Sequence, residues 1–495
     1  VIRRTPRIVI VGAGMSGLCQ AILLDRAGFS DVTVLEKADR LGGTWRDNRY
    51  PGLTCDVPSH LYQYSFDLNP SWSQLFSPGA EIQNYFEASA RRHDAERLIR
   101  FQTEVVDAYH TGVRWRLTTR DGESLDADFV VFATGFLHRP KVPGFAGMSD
   151  FAGRIVHSAR WSDDIDVVGK RVAVVGNGST GVQLLSAVAG TAAHATLFQR
   201  TPQWIARLPN PSIPRAARAL MSRSPLLTKA VLRAEYKMFE IFSVALTQDG
   251  LRRRLVNRLC ETNLASVADP ELRAKLTPDY RPGCKRLVMH PDFYRQVQRP
   301  DVSVETTAID RFEEDGIRTT DGRLHEADIV VLATGFNAHA YVRPANIRTH
   351  DGHTLNEAWS AGPRAYKCVT IEHMPNLFML MGPHSPIGNF PLVQVAEAQS
   401  TYALNWIKRW AAGEFDTLRP TARAVEAHME HIRRGLPGTV WTTGCNSWYL
   451  GTDGLPELWP YRPHDYLRLL EEPDDHSYIL ECGSAPAPAA SHAAG

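Results

Sequence analysis

Two loops in the sequence space three glycines so that backbone can approach a pyrophosphate. "RIVIVGAGMSGLCQAILL" carries Gly12, Gly14 and Gly17, and "RVAVVGNGSTGVQLL" carries Gly176, Gly178 and Gly181 with Ser179 and Thr180 between them. In each, a run of β-formers enters the G-x-G-x-x-G turn and an apolar helical pattern leaves it. Such a loop binds anions, because the helix N-terminus and its free N–H groups face the phosphates. One triplet alone fits a plain turn. Two, each between a strand and a helix, predict two dinucleotide sites.

The residue at the end of the next strand separates the two sites. "VTVLEK" ends at Glu36, 19 residues after Gly17, where a carboxylate accepts the ribose hydroxyls of an adenosine. In the second unit the same offset falls in "LFQRTP" on Arg200, followed by Thr201. A guanidinium there offers a fork to a 2′-phosphate and leaves a bare ribose without an acceptor, so the second site is predicted to take NADPH. Glu36 suits FAD or NAD. The stretch "LGGTWRDNRYPGLTCDVPSHLYQYSF", which holds Gly43, Thr44, Trp45 and Asp56, is longer and more aromatic than an NAD unit needs. It is predicted to cover a large flat ring, which selects FAD. FAD in one domain and NADPH in the other form a hydride relay.

The elements that must hold these loops repeat as well. "ADFVVFATGF" (127–136) and "ADIVVLATGF" (327–336) each follow an Asp-Gly turn and read as a hairpin feeding a buried strand. The predicted fold is α/β: two interleaved, doubly wound, Rossmann-like dinucleotide-binding domains with a helical insertion. Residues 1–145 and 371–482 are assigned to the FAD domain, 146–210 and 281–370 to the NADPH domain, 211–280 to the insertion and 483–495 to a disordered tail. Within the insertion, "LRRRLVNRLC" places Arg252, Arg253, Arg254 and Arg258 on what reads as a solvated helix face, so stable membrane association is not expected.

Composition narrows the classes further. The chain has 495 residues, 43% hydrophobic and 22% charged, with a formal net charge of +1. Such a balance fits an ordinary globular protein and supplies no field to attract nucleic acid. Seven scattered cysteines, none in a C-x-x-C pair, read as free thiols in a reducing compartment, with no zinc site and no dithiol centre. With no leader and no long apolar run, a cytoplasmic location is expected.

Between the glycine loops stands "FAGRIVHSARWSD", with Phe151, Gly153, His157 and Trp161. It resembles the F-x-G-x-x-x-H-x-x-x-W fingerprint of the type I Baeyer–Villiger monooxygenases, within the flavin-containing monooxygenase superfamily. The resemblance runs from the Gly12 loop to about residue 450, and Ser162 departs from it where the family has Pro or Asp. The resemblance implies an FAD- and NADPH-dependent enzyme that inserts one atom of O2 beside a ketone carbonyl through a C4a-peroxyflavin, giving an ester or lactone. The alternative is a sulfide or amine oxygenase of the same fold, whose fingerprint ends in Tyr or Phe rather than Trp161. "YRPGCKRL" resembles the family's P-x-G-x-K-R segment, which implies Arg286 as the catalytic arginine and Lys285 as a partner of the 2′-phosphate. Asp56 in "RYPGLTCDVPS" matches the aspartate that positions that arginine. Trp448 and Tyr449 stand where the family closes a loop over NADP and substrate, with Trp448 equally readable as core packing. The expected partners are a small ketone and O2.

Overall fold

The computed structural model describes residues 4–471 and 474–482. The expected disordered tail at 483–495 lies outside the described residues. Ile8–Val11 and Phe129–Phe132 are fully buried four-residue runs, the pattern of central strands covered on both faces. They sit in a five-stranded parallel sheet ordered Leu377–Met379, Phe129–Phe132, Ile8–Val11, Val32–Leu35, Ile99–Arg100. A second parallel sheet is ordered Arg154–His157, Ile329–Leu332, Arg171–Val175, His194–Phe198, Val302–Glu305. Position for position the two sheets are the same. The difference lies in the chain: the outermost strand beside the repeated Ala-Thr-Gly strand comes late in the first sheet and early in the second.

Each sheet carries a small antiparallel companion, folded at Asp121-Gly122 and Asp321-Gly322 as the turns predict. Asn346–Thr349 pairs with Val105–His110 on the first companion. Residues 346–349, expected in the second domain, thus join the companion sheet of the first. The periodicity of 337–370 carries no mark of which sheet it joins.

The two crossings between domains run side by side. Lys141 donates its backbone N–H to the Gly335 carbonyl and Asn337 donates to that of Arg139, both at 2.9 Å, with Pro140 bridged to Phe336. The insertion leaves the second domain between Ile205–Ala206 and Val288–Met289, which pair with each other. It consists of the helices Arg215–Arg223, Pro225–Thr247, Leu251–Leu264 and Pro270–Lys275. Arg252, Arg254 and Arg258 are exposed, as expected. Arg253 is not: it is buried and donates to the carbonyls of Ala245 and Gly438, at 2.9 and 2.8 Å. Among the described residues no helix is long and apolar enough to cross a membrane.

The cysteine reading needs correction. Cys284 and Cys445 form a disulfide across 161 residues of sequence, while Cys19, Cys55, Cys260, Cys368 and Cys482 are free. Tertiary folding brings the pair together, and no spacing in the sequence marks it. The inference of a reducing compartment rested on seven free thiols and loses that support.

Candidate active site at the junction of the two nucleotide folds

The two glycine loops have the same construction. Gly12 and Gly176 have φ of 106° and 108°, and a Cβ on either would lie 2.7 or 2.5 Å from the carbonyl oxygen of Ala133 or Ala333. Both alanines open an Ala-Thr-Gly stretch, so the two repeats are halves of one device: the strand end packs directly beneath the phosphate loop. Gly17 and Gly181 lie so close to the Gly12 and Gly176 carbonyls that a Cβ would fall 1.8 and 1.9 Å away. Only glycine permits that approach of helix to strand. Gly14 and Gly178 precede the two helices, with backbone in the extended region.

Glu36 sits at the predicted strand end and is 4% exposed. Its carboxylate accepts from the Ala13 and Ala38 N–H groups, at 2.8 and 3.0 Å, and from Arg46 Nη1 at 3.0 Å. Oε1 takes two of these donors, Ala38 and Arg46, whereas Oε2 takes only the Ala13 N–H and keeps a lone pair for a ribose hydroxyl. Gly43 backs onto Gly14, and the short helix Thr44–Asp47 that follows brings Trp45, which donates from Nε1 to the Tyr62 hydroxyl at 3.1 Å. Of the residues expected at the first nucleotide, Glu36 and Gly43 lie directly against the loop, while Asp56 lies on Arg286. Arg46, which clamps Glu36, was missed because a lone arginine ten residues downstream carries no pattern.

At the second loop, Arg200 is exposed at its strand end and close enough to Lys285 to act on it electrostatically. Lys285 lies 4.6 Å from the Tyr280 ring centroid. Burial lowers the Lys285 pKa most; Asp279 opposes that and Arg200 adds to it. Two cations from segments 85 residues apart thus converge where a 2′-phosphate is expected. Asn177, inside the glycine loop, donates to the Gln199 side chain and the Thr201 carbonyl, both at 2.8 Å, fixing the backbone that presents Arg200 and Thr201. Ser179 and Thr180 open the helix Ser179–Val188.

That helix is also the dock for the first domain. The Tyr50 hydroxyl bonds Gln183 Oε1 at 2.9 Å and Thr180 Oγ1 at 3.3 Å, and Gln183 Nε2 donates to the Thr54 carbonyl at 3.0 Å. Two residues beyond Thr54 comes Asp56. Its Oδ2 accepts both Nε and Nη2 of Arg286, at 3.0 and 2.6 Å. The Asp56 charge raises the Arg286 pKa above its ordinary value; burial opposes this, and the nearby Tyr449 adds to it. Arg286 is therefore cationic at every working pH, with a third of its side chain open to the junction.

The segment holding Trp448 and Tyr449 lies beside this pair, with Tyr449 next to Arg286. Trp448 is 38% exposed and stacks on Phe136, ring centroids 6.1 Å apart, so it is not core packing. Its carbonyl accepts from His339 Nε2 at 2.9 Å, and His339 Nδ1 donates to Glu457 at 2.6 Å. The bond to Glu457 is the largest cause of a raised His339 pKa. His339 and Glu457 were missed, since each reads alone as an ordinary polar residue.

The fingerprint lies behind the junction. Phe151 and Trp161 are buried, and Gly153 lies against the Asp328 carbonyl. His157 accepts from the Ala159 N–H at Nδ1, 3.2 Å, and donates from Nε2 to the Gly335 carbonyl at 3.1 Å. Burial lowers its pKa, consistent with a neutral ring. Gly335 belongs to the paired crossing, so the histidine braces the connection between domains. At the departure from the family, Ser162 receives Arg154 Nη2 at 2.9 Å beside Asp164, while Asp163 pairs with Arg49.

Two dinucleotide folds that meet at a fixed cation define a two-nucleotide oxidoreductase. The chain belongs to the flavin-binding monooxygenase-like family, which residues 5–343 match. It is 50% identical to an uncharacterized monooxygenase of Mycobacterium tuberculosis over 96% of each chain. It is 36% identical to a Baeyer–Villiger monooxygenase of Streptomyces coelicolor, covering 98% of this chain and 93% of that one. The structure of an oxidized steroid monooxygenase bound to NADP superposes with a TM-score of 0.86 at 31% identity, covering 97% of this chain and all of the other.

Proposed function

We propose that this chain is an FAD- and NADPH-dependent Baeyer–Villiger monooxygenase that inserts one oxygen atom of O2 beside a ketone carbonyl, releasing an ester or lactone. The residues suit the two cofactors: the first loop admits no Cβ at Gly12 or Gly17 and ends at a carboxylate, and the second ends at two cations. When bound, FAD reduced by NADPH supplies the activation of O2.

The chain's own residues supply the rest. Arg200 and Lys285 take the 2′-phosphate, and Glu36 takes the adenosine ribose of FAD. Arg286, held on Asp56, stabilises negative charge on oxygen during attack on the ketone without giving up a proton. Asp56 restricts the arginine as nicotinamide enters and leaves. Tyr449 and Trp448 exclude water from the same face. The observation that carries the reading is the Asp56–Arg286 pair, assembled from two distant segments at the junction of the nucleotide folds. Product analysis after offering linear, cyclic and aryl ketones beside a thioether tests it. Esters or lactones support the proposal; sulfoxide alone overturns it.

A further inference from the structure

The Cys284–Cys445 bond joins the two segments that face each other across the site. Cys284 immediately precedes Lys285 and Arg286; Cys445 stands three and four residues before Trp448 and Tyr449. Both sulfurs belong to buried residues, 1% and 7% exposed. The other bonds of the closing loop are mostly internal: Tyr449 N–H to the Ser447 hydroxyl, Leu450 N–H to the Ser447 carbonyl, and Glu457 N–H to the Tyr449 carbonyl. Beyond these, its polar attachments to the rest of the site are the His339 bond to the Trp448 carbonyl and the Tyr449 contact with Arg286. The loop is also held by apolar packing, with Tyr449 2% exposed and edge-on to Trp441 and Trp448 stacked on Phe136, so the disulfide adds covalent registration to contacts that a local opening would break together.

We propose that Cys284–Cys445 is a positioning crosslink, which holds Tyr449 and Trp448 over Arg286 and so keeps the closing loop registered to the catalytic cation. The bond acts through Tyr449 and Arg286; neither sulfur touches substrate. Forming it passes two protons and two electrons from the two thiols to O2, the co-substrate of the proposed reaction, which becomes hydrogen peroxide. A dithiol reductant returns both, breaking the sulfur–sulfur bond and becoming a disulfide itself. Because both sulfurs are buried, a dithiol reaches the bond only when the loop has opened. The inference rests on the proposed oxygenase reading only for O2 as the oxidant and for its effect on product yield.

The test uses the full-length, FAD-loaded protein and the variants Cys284→Ser and Cys445→Ser. Peptide mapping of thiol-blocked wild-type protein should recover the 284–445 linked pair. Each variant should speed amide exchange of residues 446–450 by roughly tenfold or more, the scale of a lost local closure, while the two parallel sheets exchange as before. Product formed per NADPH consumed should fall equally in both. A wild-type protein lacking the linked peptide overturns the proposal, and so does unchanged exchange at 446–450 in either variant. Should a variant fold poorly, dithiothreitol treatment of the wild type gives the same comparison: loop exchange that stays unchanged once the bond is reduced overturns the proposal. The exchange readout does not depend on which substrate the enzyme oxidises, so it fails separately from the oxygenase reading.

Discussion

Arg286 meets Asp56 through two donors on one oxygen: Nε and Nη2 both fall on Oδ2, at 3.0 and 2.6 Å. The pair spans the junction, since Asp56 lies six residues past Tyr50, the residue that docks the first domain on the second glycine helix. Replacing Arg286 with Ala should leave FAD bound, because that site lies on the first sheet. Ester formation should fall at least about 100-fold, the scale of losing one oxyanion-stabilising donor, and hydrogen peroxide should appear from uncoupled NADPH oxidation. Lysine at 286 keeps the charge but not the fork and should be nearly as damaging. Unchanged rate and coupling in Arg286→Ala would move the catalytic cation elsewhere.

The convergence of Arg200 and Lys285 predicts cofactor choice. NADPH should be preferred over NADH by about two orders of magnitude, since each charge-assisted contact contributes about 1.5–3 kcal/mol. Arg200→Ala should remove most of that preference and Lys285→Ala part of it, with kcat/KM for NADH little changed. Equal efficiency with both nucleotides in the unmodified protein would refute the assignment.

Glu36 carries two duties, so its loss should show twice. Glu36→Gln removes one of the two anions that buried Arg46 holds, leaving Asp47 Oδ1 at 2.9 Å, and losing a hydrogen bond between charged groups costs about 1.5–3 kcal/mol. A lower Tm of the apoprotein and faster loss of FAD on dilution are both expected. A variant that unfolds at the wild-type temperature and keeps its FAD would place the ribose acceptor at another residue.

His339 makes the closing loop sensitive to pH. With both ring nitrogens donating, to Glu457 and to the Trp448 carbonyl, the imidazolium is the bonded form, and its pKa rises above the ordinary 6.5 despite burial and the opposing Arg343. The stabilisation is complete below the unfolded pKa and is lost as pH climbs through the raised folded value. Above it the neutral ring keeps one N–H, and either Glu457 or Trp448 loses its donor. Amide exchange at 446–450, corrected for intrinsic rates, should therefore accelerate with rising pH across that interval. His339→Gln should abolish the step; a step that persists would assign it to another group.

What could be read from the sequence was whatever a local pattern encodes. The glycine triplets, the Asp-Gly turns and the strand ends at Glu36 and Arg200 are each set by a dozen neighbouring residues. Arg286 and Asp56 were legible only through a family resemblance, since 230 residues separate them and neither is unusual in type. The Arg46 clamp, the His339 latch and the Cys284–Cys445 bond had no local signature at all. Arg253 shows the limit well: Arg252 and Arg254 beside it are solvated, and only the fold brings the Ala245 and Gly438 carbonyls to its guanidinium.

The paired crossing at Arg139–Lys141 and Gly335–Asn337 has a consequence for how such a chain can be rebuilt. Because entry and exit lie against each other, the second nucleotide fold and its helices form a guest whose two ends nearly touch. A gene segment encoding residues 141–335 can therefore be exchanged for its counterpart from a relative through two junctions that meet at one place in space. His157 and Gly335 would travel together in such an exchange, and the host would receive a complete brace with its guest.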